Sequence, residues 1–145
     1  MVDTKQYPTV ILKPPLGFVN DKRTEGWQLI EDTDFIGDET LELAGFLEKD
    51  ETYVSGEVML ERSKKNPRTG QRHAEQLLAQ QKNIPSEWRT RYLMFMGTVW
   101  QYSDCLYVPC LYWCSYHKGW VLEFYGLTGL KGGSVFSGRL VRPCK

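Results

Sequence analysis

Residues 88–136 read WRTRYLMFMGTVWQYSDCLYVPCLYWCSYHKGWVLEFYGLTGLKGGSVF and hold thirteen of the chain's nineteen aromatic residues. Aromatic and β-branched side chains suit a pleated, half-buried surface, so this density predicts a sheet around which the rest of the chain packs. Residues 91–101 predict a strand with apolar residues on both faces. Residues 106–113 predict a second, demoted to an edge or bulged strand by Pro109, which cannot donate to a ladder. Residues 115–119 form a turn. A third strand covers 120–125, with Trp120, Leu122 and Phe124 on one face and Val121, Glu123 and Tyr125 on the other. Gly126, Gly129, Gly132 and Gly133 mark a loop, and residues 135–141 form a fourth strand that Pro143 closes. The spacing of about ten residues per strand predicts an antiparallel meander, with closure into a small barrel as one option.

Upstream, two helices precede this sheet. Ser55 can cap the first, which runs through Val58, Met59, Leu60 and Glu61 and gathers basic residues in its last turn. Asn66-Pro67 ends it. Thr69 can cap the second, from Gly70 to about Asn83, where Ala74, Leu77, Leu78 and Ile84 repeat at helical spacing. Pro85 stops it. Together they predict a helical hairpin over about 55–84. Before them, Val10-Ile11-Leu12 reads as an edge strand stopped by Pro14-Pro15, and residues 27–31 as another strand. Residues 31–42 read as an acidic loop, and 41–47 fit strand and helix equally. The fold class is therefore α+β: an antiparallel sheet of four to six strands with a helical hairpin. One domain spans 1–145, made of an acidic region (1–45), the hairpin (46–87) and the aromatic sheet (88–145). At 145 residues it can bury roughly 70% of the surface of its unfolded chain.

The chain has no net charge, yet residues 1–61 carry net −9, residues 62–91 net +6, and the remainder net +3. Solvated or mutually paired faces are the ordinary use of such runs. The alternative is a bipolar surface that steers a charged partner. No apolar run reaches the 18 or so residues of a membrane span, so no membrane partner is expected. The N-terminus lacks a basic region followed by an apolar core, and a cytoplasmic location is expected. Cys105, Cys110, Cys114 and Cys144 are then reduced thiols, and packing is their commonest role.

The motif most suggestive of catalysis is His73-Ala74-Glu75 with the later Pro109-Cys110 and Cys114. It resembles the zinc-dependent nucleoside and nucleobase deaminases, whose pattern is His-x-Glu on a helix and Pro-Cys-x-x-Cys after a strand. The resemblance implies zinc on His73, Cys110 and Cys114, with Glu75 moving protons. Two features depart from the pattern. The cysteines are one residue too far apart, and they lie in a strand-like run where residues four apart stand roughly 13 Å from each other. A second set, Cys105, Cys110, Cys114 and His117, fits no zinc module. No cofactor and no catalytic residue is therefore the primary expectation.

Binding is better supported. Arg62, Lys64, Lys65, Arg68 and Arg72 surround the link of the hairpin and could meet a nucleic-acid groove. The aromatic sheet, with Arg89, Arg91, Arg139 and Arg142, could stack single-stranded bases. Against nucleic acid stands the absence of a basic excess. Trp and Tyr, with Tyr112 and Trp113 foremost, are what protein interfaces use as anchors, which makes a protein partner the leading expectation. If Asp32, Asp34, Asp38, Glu39 and Glu42 form one face, that face could mimic nucleic acid, as an inhibitor or regulator from a mobile element would.

Several segments are similar to a group of small uncharacterised bacterial proteins: Gly70 to Leu78, Ile84 to Arg89, Gly97 to Trp100, Val108 to Trp113 and Arg139 to Pro143. The similarity spans roughly residues 45–145. It implies a bacterial source and one coherent unit of hairpin and sheet, with 1–45 as the variable part, and carries no activity.

Overall fold

The computed structural model describes residues 7–13, 17–33, 37–45, 47–65, 67–127, 135–136 and 139–143. In chain order its elements are β1 (Thr9–Leu12), β2 (Gln28–Glu31), β3 (Gly37–Ala44), β4 (Val54–Ser55), α1 (Gly56–Ser63) and α2 (Gln71–Ala79). Then come β5 (Leu93–Met94), β6 (Val99–Tyr102), β7 (Cys105–Cys114), β8 (Gly119–Gly126), β9 (Val135–Phe136) and β10 (Arg139–Pro143). Short 3-10 turns occupy Lys22–Glu25, Gln81–Asn83 and Ser86–Thr90. The main sheet runs β1-β3-β10-β5-β7-β6-β2, with β8 on the other side of β7, while β4 and β9 pair separately. All its pairings are antiparallel except β10 with β5. The class is α+β, and the sheet is open, not a barrel.

The expected first strand is two. Leu93 and Met94 pair with Leu111 and Cys110, then the chain bends and pairs again from Trp100 to Tyr102 with Tyr107 to Cys105. Gly97 makes the bend: its N–H donates to Thr69 O at 2.8 Å, and a Cβ there would lie 2.9 Å from that oxygen. The same break explains Pro109, expected at an edge and found in the most central strand. β7 pairs with β8 along its whole length on one side and with β5 and β6 on the other. Pro109 falls in the gap between the β5 and β6 ladders, where its carbonyl accepts Phe95 N–H at 3.0 Å and no donor is required of it.

The meander also stops at three strands. The expected fourth strand is divided: β9 pairs with β4, and β10 crosses to lie between β3 and β5. The first third of the chain is no appendage, since β1, β2 and β3 all join the main sheet. The expected acidic loop becomes strand from Gly37 onward because its period is two, with Leu41 and Leu43 inward and Asp38, Thr40 and Glu42 on the opposite face. The Pro14-Pro15 stop, the glycine loop at 129–133 and Cys144 lie outside the described residues.

Alternation along β5, β7 and β10 divides the interior into two cores, one on each face. Leu93, Phe95, Leu111 and Val141 join Ala74 and Leu77 of α2 together with Val10, Leu41, Trp88 and Trp120. Met94, Met96, Cys110 and Leu140 join Met59 of α1 with Val54, Val99, Val108 and Leu127. The two helices of the expected hairpin thus pack on different cores. Burying side chains of this size is worth about 1.5–3 kcal/mol each, so both layers matter. Ser55 caps α1 as expected, its Oγ accepting Val58 N–H at 3.3 Å. Thr69 does not cap α2, because its hydroxyl donates to Val141 O at 2.8 Å.

Candidate functional site

With Thr69 engaged elsewhere, the N-terminal turn of α2 is closed by His73, whose Nδ1 accepts Gly70 N–H at 2.9 Å. His73 is 1% exposed, and burial, then the Arg72 charge, lowers its pKa to about 4. The ring is neutral at physiological pH and must carry its proton on Nε2, which has no hydrogen-bond partner among the described residues. Glu75 is tied on both oxygens: Oε1 accepts Val19 N–H at 3.0 Å, and Oε2 accepts Asn20 N–H at 2.7 Å and Gln71 Nε2 at 3.2 Å. Gln71 also accepts Trp100 Nε1–H at 2.7 Å, and its N–H donates to Thr98 Oγ1 at 2.8 Å. Thr98 in turn donates to Asp32 at 2.7 Å, and Asp32 pairs with Arg72 at 2.5 Å. This network fastens the loop at 17–20 and the end of β2 to α2. Glu75 is committed to it as an acceptor, which is not the arrangement of a proton shuttle.

The deaminase-like ligand set is not brought together. Cys110 points into the α1-side core while α2, with His73, packs on the opposite face, and burial pushes the Cys110 thiol well above its usual range. Cys114 lies on the Cys110 face and is partly exposed, Cys105 is buried and His117 is exposed in the turn after β7. Among the described residues no three His, Cys, Asp or Glu side chains are grouped to hold a metal ion.

The basic residues of the hairpin are mostly neutralised within the chain. Arg62 is bound bidentately by Glu51 at 2.6 and 3.0 Å, holding that carboxyl at about 2 in pKa, with Glu48 at 3.8 Å. Lys64 pairs with Glu61 at 3.5 Å, Arg68 with Glu31 at 3.1 Å, and Arg72 with Asp32. Lys65 is exposed. The charge segregation along the sequence is thus largely internal pairing. The acids expected to form a face do not: Asp32 is in the network, Asp38 and Glu42 lie on one face of β3 and Glu39 on the other, and Asp34 is outside the described residues.

Of the expected binding residues, Arg89 and Trp113 meet at the end of the sheet where β7 turns into β8, and Tyr112 lies on the opposite face of the same end. The Arg89 guanidinium lies over the Trp113 ring at 3.8 Å, and Trp113 meets Trp120 edge to face at 6.0 Å. On the other face Tyr92 meets Tyr112 at 5.9 Å and Tyr125 at 5.7 Å. Tyr112 donates to Glu123 at 3.3 Å; burial, then the Glu123 charge, raises the Tyr112 pKa, and burial raises that of Tyr125. Tyr92 is 50% exposed, Tyr116 in the adjoining turn is 88% exposed, and Arg91 is exposed. Sequence reading missed Tyr92 and Trp120 as members. The available signal was the turn at 115–118, which sets Trp113 opposite Trp120 once a hairpin is assumed.

No protein-family model, curated protein or solved structure matches the chain. Among the described residues no helix is long and apolar enough to cross a membrane.

Proposed function

We propose that this is a small bacterial cytosolic binding protein that engages a protein partner through the aromatic and basic end of its sheet. The observation that carries the reading is the exposed Arg89 seated on Trp113, which the buried Trp120 backs, with Tyr92 and Tyr112 on the opposite face of the same end of the sheet. Arg, Trp and Tyr are the types in which interface energy concentrates, because each offers a large rigid contact with a polar tip. An arginine seated on an indole is already ordered, so less freedom is lost on binding. The nucleic-acid reading loses its hairpin support, since Arg62, Lys64, Arg68 and Arg72 are paired with carboxylates.

Site-specific photo-crosslinking in bacterial cells tests this, with a benzophenone amino acid at Tyr116 and, as control, at Val19 in the loop anchored to α2, which is 89% exposed. A discrete protease-sensitive adduct is expected at 116 alone, weakened by Arg89→Ala and by Tyr92→Ser. A nuclease-sensitive adduct would transfer the site to nucleic acid. Equal labelling at both positions, or none at 116, would refute the reading.

A further inference from the structure

A polar cleft of about 560 Å³ opens where α2 ends, between the 3-10 turns at Gln81–Asn83 and Ser86–Thr90 and the start of β1. That volume is in the range of small-molecule sites, roughly 300–1,000 Å³. Its walls include Tyr7, Pro8, Gln80, Lys82, Asn83 and Arg89, and among the described residues no carboxylate lines it. Lys22, Arg23, Arg62, Lys64, Arg68 and Arg72 all have acidic partners, while Lys13, Lys49, Lys65, Arg91 and Lys118 have none among the described residues but do not line this cleft. Lys82 and Arg89 form no ion pair among the described residues. Two cations facing one concavity without a counter-charge repel each other, a cost that a bound anion removes.

The cleft is also ordered. Gln80 Nε2 donates to Thr9 O at 2.7 Å, fastening α2 to β1, and Gln80 Oε1 accepts Asn83 Nδ2 at 3.0 Å. Arg89 is held by its face on Trp113, which leaves the N–H groups at the edge of its guanidinium plane as donors. Such a fork suits the paired oxygens of a phosphate, and a lysine adds a point charge beside it. Tyr7, 40% exposed, supplies a flat apolar rim, with the buried Pro8 beside it in the wall. We propose that this cleft binds a small phosphate ester carrying an aromatic ring, a nucleotide in chemical class, with Lys82 and Arg89 on the phosphates and the ring against Tyr7 and Pro8. The site shares Arg89 with the partner surface but is otherwise separate from it, and the two stand or fall by different experiments.

Isothermal titration calorimetry of the full chain with ADP, with inorganic pyrophosphate and with adenosine tests the site. ADP is expected to bind about tenfold or more tightly than either fragment, since both halves of the ligand are held. Lys82→Glu, at an exposed position, should weaken ADP about tenfold or more while leaving the thermal midpoint unchanged. Arg89→Lys, which keeps the charge but loses the fork, should weaken it less. ADP binding that is unaffected by Lys82→Glu would overturn the proposal. So would pyrophosphate binding as tightly as ADP, or no heat from any of the three at about 5 mM, far above the weakest useful affinity. Binding of a single-stranded oligonucleotide with none of ADP would likewise overturn it.

Discussion

Acidification should destabilise this protein through His73. In the folded chain the imidazole is buried and neutral with a pKa of about 4, and in the unfolded chain it returns to 6.5. Between those values the unfolded state binds a proton that the folded state refuses, so stability is complete above pH 6.5 and falls as pH falls toward 4. At about pH 4.5 the loss from this one group amounts to about 2.6 kcal/mol. With a urea slope of about 1–3 kcal/mol per molar, the unfolding midpoint should drop by roughly 1–2.5 M between pH 7 and 4.5, followed by tryptophan fluorescence. His73→Gln removes the titrating group yet keeps an acceptor at the position that reaches back to Gly70, and should flatten this window. The Glu51 carboxyl, held at about 2 by Arg62, releases its own contribution only below its ordinary value of 4.5, which separates the two effects. A His73 imidazole titrating near 6.5 by NMR, or equal losses in the wild type and His73→Gln, would show the reasoning to be wrong.

Glu75→Ala leaves the backbone N–H groups of Val19 and Asn20 without their acceptor. It should cost about 2–3 kcal/mol and speed tryptic cleavage after Lys22 or Arg23; unchanged proteolysis would contradict the loop-anchoring role. Gly97→Ala drives a methyl group against the Thr69 carbonyl and should lower the thermal midpoint on the order of 5 °C, whereas an unchanged midpoint would mean the bend is not tight. In the native state, alkylation followed by mass spectrometry should mark Cys114 well before the buried Cys105 and Cys110, and equal rates would contradict the packing of Cys110 beneath α1.

What could be read in the sequence was whatever local chemistry decides. Ser55 announced a helix start and the alternation of Trp120, Leu122 and Phe124 a strand face, because each depends on neighbours a few residues away, whereas α2 stops at Ala79, short of the end expected at Pro85. What could not be read depends on distant partners. Pro109 looked like an edge residue until the break at Gly97 supplied a gap opposite it. Thr69 looked like a cap until Val141 O claimed its hydroxyl across 72 positions of sequence. The site followed the same rule. Arg89 and Trp113 were both singled out, but nothing in their spacing says that one lies on the other. The basic residues of the hairpin looked like a binding surface in part because the partners of Arg68 and Arg72, Glu31 and Asp32, sit more than thirty positions away.

The position of β10 sets the order in which this molecule can be completed during translation. It is the last of the described strands to be made, yet it lies between β3 and β5. A ribosome that has produced everything up to β9 therefore holds two sheet halves joined by no direct ladder between β3 and β5. Each has an open row of backbone donors and acceptors, and each lacks Leu140 and Val141, one for either core. Insertion of β10 closes both rows and seals both hydrophobic layers in a single step. A nascent chain stopped short of residue 139 is thus expected to be protease-sensitive throughout, with protection arriving in one stage once β10 clears the exit tunnel.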